Sequence, residues 1–477
     1  MSAEITFGTD GWRAIIGDDF TYQTLGRVAQ GIAEYLLSRG PDPLCVVGYD
    51  CRFASEFFAQ DVARVLAANG VRSLLFDRAS PTQAASWTVI DERAQGAAVV
   101  TASHNPYIFN GVKYKPETGS SAPPEVVADL ERYINRAGRD QPVERASADH
   151  ALIQIHDPLP AYLLQVGRMV DLDSLRGAGL RVVHETMHGS GFGYISAALG
   201  GGRTTVRELH AERNPFFGGV NPEPIPQNLA PTFAALRDDT FDLCICTDGD
   251  ADRLGVIDER GAFVDQLHVF ALLMRYLVEV RGWRGAVVRS INMTHMADRL
   301  GEIYQLPVLE VPVGFKNIAP KMMELDAILG GEESGGFAVR GHIPERDGIL
   351  VGLLFADMVL RAQKPLSLLL RELAELVGPH AYARHDIHLE RDSYSARRVQ
   401  ILDSLNERQP TEIAGQRVDR VRTDDGIKYF LADGSWVLLR ASGTEPLIRV
   451  YAEASDAEAV EARLQAMEEL ARLGDGR

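Results

Sequence analysis

Cysteine is scarce: the 477 residues include only Cys45, Cys51, Cys244 and Cys246. Four in so long a chain cannot build a disulfide framework, and no Cys/His set has zinc spacing, which suits a reducing compartment. Cys244 and Cys246 alternate on an apolar run and read as core fillers. Long apolar runs are missing too. No stretch of 18 occurs, since even HVFALLMRYLVEV is broken by Arg275, so no membrane-spanning helix is expected. The amino end MSAEITFG lacks the basic and apolar segments of a signal peptide. A soluble, cytoplasmic protein is the expectation. Basic residues are outnumbered, 49 Lys and Arg against 66 Asp and Glu, for a formal net charge of −17. Such a chain repels nucleic-acid backbones and anionic lipid, so neither nucleic acid nor membrane is expected as a partner. No G-x-x-x-x-G-K-[ST] occurs, and Gly189, Gly191 and Gly193 miss the G-x-G-x-x-G spacing. A P-loop kinase and a dinucleotide site are thereby disfavoured.

What is present is ordinary globular material, 45% hydrophobic and 24% charged. At roughly 150 residues per domain the length predicts about three domains, with two to four in range. Leu25, Val28, Ala29, Ile32, Tyr35 and Leu36 recur at helical spacing after Thr21, which predicts an amphipathic helix over 22–37 with Thr21 as N-cap. Short apolar runs at 44–50, 96–103, 179–186, 241–250 and 285–292 alternate with helix-length segments. That pattern predicts α/β units with largely parallel sheets, whose ligands sit beyond the carboxyl ends of the strands. Polar linkers are expected at 136–150, near Gly378-Pro379 and, more faintly, around 258–266. They divide the chain into domains 1–150, 151–262, 263–378 and 379–477. The last differs in pattern: LADGSWVLLR and LIRVYAEA predict hairpin strands. Ser455 and Glu458 form a capping box for a final helix with Val460, Leu464, Met467 and Ala471 on one face.

The residues ending the apolar runs carry the chemistry. In VVTASHNP (99–106) Ser103 and His104 leave a strand in a turn, and Lys113, ten residues on, is expected on a loop above the hydroxyl as proton acceptor or phosphate contact. A serine-histidine pair alone is usually only a turn. DGDADR (248–253) is sharper. Asp248, Asp250 and Asp252 alternate after an apolar run, so three hard carboxylates can converge on one cation, and oxygen ligands suit magnesium. Leu254 and Val256 interrupt any EF-hand ligand set. Arg253 is out of place in a pure cation site and makes sense if a phosphoryl group also binds. In RASGTEPLIRV, Arg440, Ser442, Gly443, Thr444 and Arg449 make an oxyanion cradle between two strands, where arginine grips phosphate bidentately. GEESGG (331–336) offers adjacent carboxylates as acceptors for sugar hydroxyls. HETMH (184–188) fits the zinc-protease pattern H-E-x-x-H, but its setting is strand then turn, with no third ligand.

Taken in order, FGTDGWRA (Phe7–Ala14), TASHNP (Thr101–Pro106), DGDADR (Asp248–Arg253), GEESGG (Gly331–Gly336) and RASGTEPLIRVY (Arg440–Tyr451) resemble the α-D-phosphohexomutase family over nearly the whole chain. The resemblance implies four domains around a central cleft, three mixed α/β and a smaller α+β fourth. It implies Ser103 as the phosphoryl carrier and a metal ligand, Asp248, Asp250 and Asp252 as magnesium ligands, and Glu332 and Ser334 as the sugar-hydroxyl loop. Arg440 through Arg449 would then be the distal phosphate clamp, and Arg13 and Lys316 further basic positions lining the cleft. The partners are small sugar phosphates, with glucose 1,6-bisphosphate as intermediate and activator; the oligomeric state stays open. One position departs. Members acting on mannose or glucosamine phosphates often read GE-x-SGH, where this chain has Gly336. The run GHIPERDGI (341–349), with His342 as a catalytic candidate beside Ser103, His104, Lys113 and Arg253, is instead similar to that of many phosphoglucomutases. That favours interconversion of glucose 1-phosphate and glucose 6-phosphate, with mannose or glucosamine phosphates as alternatives. A magnesium-dependent phosphatase is the remote rival, since a hydrolase has little need for the clamp. A sugar-phosphate sensor would be expected to lose Ser103 or an aspartate of the triad.

Overall fold

A computed structural model describes residues 4–8, 10–137, 142–390, 393–441 and 446–473. The helix expected after Thr21 forms as Tyr22–Arg39. Thr24 N donates to Thr21 Oγ1 at 3.2 Å and Thr21 N donates back to Thr24 Oγ1 at 3.0 Å. Its predicted apolar face is buried.

Four sheets follow one another along the chain. The first runs laterally Trp12–Ile15, Phe109–Pro116, Gly96–Val100, Leu44–Tyr49, Arg72–Phe76 and Ile153–His156. Its three contacts among the last four strands are parallel, whereas Phe109–Pro116 runs antiparallel to both neighbours. The second runs Phe263–Val264, Leu254–Ile257, Leu243–Thr247, Arg181–Glu185 and Thr205–Leu209, and the third Val308–Val311, Val287–Ser290, Leu329–Gly331 and Phe337–Val339. Both are parallel except at one edge, where the pairing turns antiparallel. The expected parallel sheets are therefore mixed. Each reverses at one edge through a short connection such as 248–253, too short for a crossover helix.

Two expected boundaries cut through hydrogen-bonded sheets. Ile153–His156, beyond 150, pairs with Arg72–Phe76, and Phe263–Val264, beyond 262, pairs with Leu254–Ile257. A polar stretch read as a linker can belong to a domain once a side chain pins it: Arg145 in 136–150 ion-pairs with Asp61 at 2.6 Å. Near Gly378-Pro379 the helix Leu366–Val377 ends and a strand begins at Ala381.

The first three sheets share one core. Helix Gly348–Ala362, buried continuously from Gly348 to Val359, is capped by Asp347, which accepts Leu350 N at 2.8 Å, and packs against strands of the second sheet. The fourth sheet is antiparallel throughout and has its own core, where Val460, Leu464, Met467 and Ala471 of helix Ala457–Leu473 are buried. The expected capping box is replaced by a single N-cap bond one residue on, since position 459 is alanine and offers no side chain to complete a box. Asp456, not Ser455, accepts Ala459 N at 2.8 Å, because a carboxylate is the stronger acceptor for a helix N-terminus. Ile291 packs with Trp436, Leu438 and Tyr451, and this small cluster seats the fourth domain on the third. Among the described residues no helix is long and apolar enough to cross a membrane.

Candidate active site

Three loops leave the carboxyl ends of three central strands and meet. Gly96–Val100 delivers Ser103, Leu243–Thr247 delivers Asp248, and Leu329–Gly331 delivers Glu332. Ser103 Oγ donates to Asp248 Oδ2 at 2.8 Å. Ser103 is buried and its φ is +50°, a left-handed conformation that costs energy for a residue with a Cβ and is held by its surroundings. The loops approach so closely that only glycine fits at 249, where a Cβ would lie 2.5 Å from the Ser103 carbonyl oxygen.

Arg52 supplies the restraint on the serine turn, a residue that sequence reading passed over. Its guanidinium donates to the carbonyls of Ser103 (2.6 Å), Asn105 (2.7 Å), Pro106 (3.0 Å) and Phe109 (3.0 Å). It also ion-pairs with Asp50 at 3.1 Å, both side chains being fully buried. Asp50 accepts from Thr101 Oγ1 at 2.7 Å, and Thr101 Oγ1 accepts Ser103 N at 2.9 Å. The apolar run ending at Asp50 marked these residues only as strand-end polar groups.

Asp248, Asp250 and Asp252 are buried, each with a carboxylate oxygen within 4.8 Å of the others. Asp250 Oδ2 accepts from Thr82 Oγ1 at 2.6 Å, and Asp248 Oδ1 accepts Arg253 N at 3.0 Å. Asp250 Oδ1 and Asp252 Oδ1 are buried without a hydrogen-bond partner. Burial and the repulsion of Asp250 and Asp252 push the Asp248 carboxyl well above the usual range. Orphaned oxygens beside a hydroxyl and a repelling triad are the donor set a hard divalent cation satisfies, so the residues fit magnesium.

Lys113 is placed differently from expectation. It lies on the strand Phe109–Pro116, not a loop, and its Nζ is 2.7 Å from Asp252, 2.8 Å from Asp250 and 2.9 Å from Asp10. Burial opposes its charge, but Asp10, Asp250 and Asp252 raise its pKa, so it is held as an ammonium and is no proton acceptor in this arrangement. His104 does lie beside the serine, Nδ1 at 3.4 Å from Ser103 Oγ. Burial and then the charges of Arg253, Arg13 and Lys113 push its pKa well below the usual value, leaving a neutral imidazole. Arg13 donates to Asn105 Oδ1 at 2.5 Å, and Arg253 pairs with Glu223 at 2.8 Å.

Across the cleft, Glu332 Oε1 accepts Gly314 N at 2.8 Å and Oε2 lies 3.5 Å from Arg346. Burial raises the Glu332 pKa, and Arg346 only partly offsets it. Ser334 is half-buried in the same loop, and Lys316 is half-buried in the first turn of helix Phe315–Leu325. Arg346 is the second missed residue. It pairs with Asp252 at 2.8 Å and with Asp10, and its stem crosses the place a side chain at 336 would take: a Cβ on Gly336 would meet Arg346 Cδ at 2.2 Å. Both were within quoted motifs, Asp10 in FGTDGWRA and Arg346 in GHIPERDGI. His342, expected among the catalytic residues, lies apart from this cluster. Its Nε2 is 2.9 Å from Asp347 and its ring stacks on Trp87, so it steadies the cap of helix Gly348–Ala362. HETMH likewise makes no zinc site. His184 lies on a strand, with Nε2 3.2 Å from Thr247 Oγ1.

In the fourth domain Arg440 and Arg449 face each other across antiparallel strands. Arg440 Nε donates to Asp425 at 2.8 Å. Ser442, Gly443 and Thr444 lie outside the described residues.

Matches to known proteins agree with this layout. The phosphoglucomutase/phosphomannomutase alpha/beta/alpha domains I, II and III match residues 4–140, 160–261 and 265–377, and the C-terminal domain matches 400–470. The chain is 29% identical over 458 residues to a phosphoglucomutase/phosphomannomutase of Thermococcus kodakarensis, covering 95% of each. It is 28% identical over 466 residues to a phosphoglucosamine mutase of Carboxydothermus hydrogenoformans, covering 95% of this chain and 96% of that one. A Thermus thermophilus crystal structure assigned as a phosphomannomutase superposes with a TM-score of 0.87 at 36% identity, over 99% of this chain and 100% of that one. The three motif-bearing loops, the paired arginine strands of the fourth domain and all four domain matches lead to one conclusion: this chain belongs to the phosphoglucomutase/phosphomannomutase family.

Proposed function

We propose that the protein interconverts glucose 1-phosphate and glucose 6-phosphate through a phosphorylated Ser103 and a glucose 1,6-bisphosphate intermediate. The observation that carries this reading is Ser103 Oγ, 2.8 Å from Asp248 in the aspartate cluster. A continuous line of contacts joins that cluster to the arginine pair. Asp252 pairs with Arg346, which approaches Glu332; Glu332 binds Gly314 N, and Asp425 binds both Val313 N and Arg440.

Phosphoryl transfer requires charge neutralisation and alignment more than covalent versatility. Asp248, Asp250 and Asp252, with the Ser103 phosphate, would hold magnesium, which when bound supplies positive charge to the phosphoryl oxygens. Arg52 fixes the backbone of Ser103, so the Oγ direction is set before substrate arrives. The Ser103 phosphoryl group passes to the free hydroxyl of the sugar phosphate: the O–P bond to serine breaks as that to sugar forms, and in net the hydroxyl proton is transferred to the departing serine oxygen. His104, neutral and beside Oγ, is suited to taking the serine proton when the bisphosphate, turned end for end, returns its other phosphoryl group. Glu332 accepts sugar hydroxyls, while Arg440 and Arg449 hold the phosphate that does not react.

The preference for glucose rests on the run 341–349. Its Arg346 fills the space over Gly336, where mannose- and glucosamine-acting members often carry histidine. Mannose and glucosamine phosphates remain the alternatives. The test is a coupled assay of the three 1-phosphates, each with a trace of its 1,6-bisphosphate. The highest kcat/KM should be with glucose 1-phosphate; a higher value with either other sugar reassigns the substrate.

A further inference from the structure

The carboxylate of Asp425 is shared between two domains. Its Oδ1 accepts from Arg440 Nε at 2.8 Å, and its Oδ2 accepts the backbone N–H of Val313 at 2.7 Å. Val313 leads into Gly314, whose own N–H is bound by Glu332 at 2.8 Å. One side chain thus joins the arginine of the fourth domain to the segment that orients the sugar-loop glutamate of the third.

The turn is built for this reach. Gly426 has φ +87°, and a Cβ there would lie 2.4 Å from the Leu439 carbonyl oxygen and 3.2 Å from Arg440 Cα. The turn therefore presses on the backbone beside Arg440 while Asp425 meets the Nε edge of its guanidinium. Asp425 is half-buried, so these bonds are partly shielded from water. An arginine side chain is long and loses much rotamer freedom when it grips an oxyanion, and a carboxylate that holds it beforehand lowers that loss.

We infer that Asp425 is a positioning residue of the distal phosphate site, orienting Arg440 and tying it to the loop that sets Glu332. It acts through Arg440 and is not itself a phosphate ligand, since a carboxylate repels phosphate. The inference rests on reading Arg440 as a phosphate ligand. It adds that the arginine and the sugar loop are held in register by one group, so a phosphate at the first and a hydroxyl at the second are recognised together.

The test is steady-state kinetics on full-length Asp425→Asn, Asp425→Ala, Arg440→Ala and the Asp425→Ala/Arg440→Ala double variant, with thermal melting of each. Asp425→Ala should raise KM for the hexose 1-phosphate about tenfold, the scale of one charge-assisted hydrogen bond, with a smaller change in kcat. Asp425→Asn keeps one acceptor oxygen and should fall between. The double variant should have the KM of Arg440→Ala, because the two residues act as one unit. If Asp425→Ala fails to fold, Asp425→Asn with a KM raised at least threefold and a native melting profile supports the inference equally. A KM within twofold of the parent for every folded Asp425 variant overturns it, as does a double variant whose effects multiply in full. An unchanged KM in Arg440→Ala removes the phosphate-ligand reading and this inference with it. A raised KM in Arg440→Ala beside an unchanged one in Asp425→Asn removes only the inference.

Discussion

Ser103 Oγ and Asp248 Oδ2 are 2.8 Å apart although 145 residues separate them in the chain. The bond joins the first and second sheets and places the hydroxyl beside the one cluster of acidic side chains, among the described residues, suited to a cation. Ser103→Ala is accordingly expected to abolish turnover while the melting transition is retained, since the side chain lies in a turn outside the apolar core. Intact-mass analysis of the parent protein should show a phosphate adduct that Ser103→Ala lacks. A fully active Ser103→Ala enzyme sinks the phosphoserine mechanism.

Magnesium should stabilise the protein as well as activate it. The triad repels itself, and two of its oxygens have no partner. A cation that binds only the folded state at a hundred times its Kd adds about 2.7 kcal/mol. Melting temperature should therefore rise with added magnesium and fall again with excess chelator, in step with activity. Activity that persists in chelator with the metal verified absent reassigns the triad as structural.

Arg52→Ala should be among the most destabilising single substitutions in the first domain. It strands the carbonyls of Ser103, Asn105, Pro106 and Phe109 and leaves Asp50 as a buried charge without its partner. Removing one member of a buried pair costs about 3–5 kcal/mol. Chemical denaturation of the two proteins measures this, and a loss under about 1 kcal/mol would contradict the role given to Arg52.

Gly336→Ala tests the place of Arg346. The new methyl would overlap Arg346 Cδ and force the guanidinium away from Asp252 and Asp10. Overpacking of this kind costs about 1–3 kcal/mol, and a misplaced cleft arginine should lower kcat/KM by about tenfold or more. Unchanged kinetics would show that Arg346 has no part in turnover.

His268 gives a pH test on a group outside the proposed catalytic set. Burial disfavours its imidazolium, but the hydrogen bond from Nδ1 to Asp265, at 2.7 Å, and the attraction of that carboxylate raise its pKa above the ordinary value. A raised folded pKa contributes stability that is present in full below about pH 6.5 and is lost as pH climbs through the folded pKa. His268→Gln should therefore cost more stability at pH 6 than at pH 8.5, measured by urea denaturation at both. An equal or larger cost at pH 8.5 reverses the sign and removes the pair as a source of pH dependence.

Much of this protein is legible one residue at a time because its signals are local. Period 3.6 in 22–37 and the apolar runs ending in Tyr49, Val100 and Thr247 require nothing beyond their neighbours to become helix and strand. The residues that leave those strands must be polar because the strands themselves are buried. Ser103, Asp248, Asp250, Asp252 and Glu332 were visible for that reason. The capping residue of the last helix was missed by one position because serine and aspartate adjoin, and side-chain acceptor strength decided between them.

What sequence could not supply is which distant groups share a charge. Lys113 reads as a free amine over a hydroxyl, yet packing of the first sheet against the second surrounds it with Asp10, Asp250 and Asp252 and keeps it protonated. His342 reads as a cleft residue, yet the cap of helix Gly348–Ala362 takes its ring nitrogen. Arg52 reads as nothing in particular until four carbonyls of a turn 51 to 57 residues away converge on it. Ionisation and hydrogen bonding at such positions depend on burial and on the nearest opposite charge. The amino-acid order determined the strands, the helices and the polar residues at their ends; only the packing of three sheets on one core decided which of those residues meet, and so which carry charge.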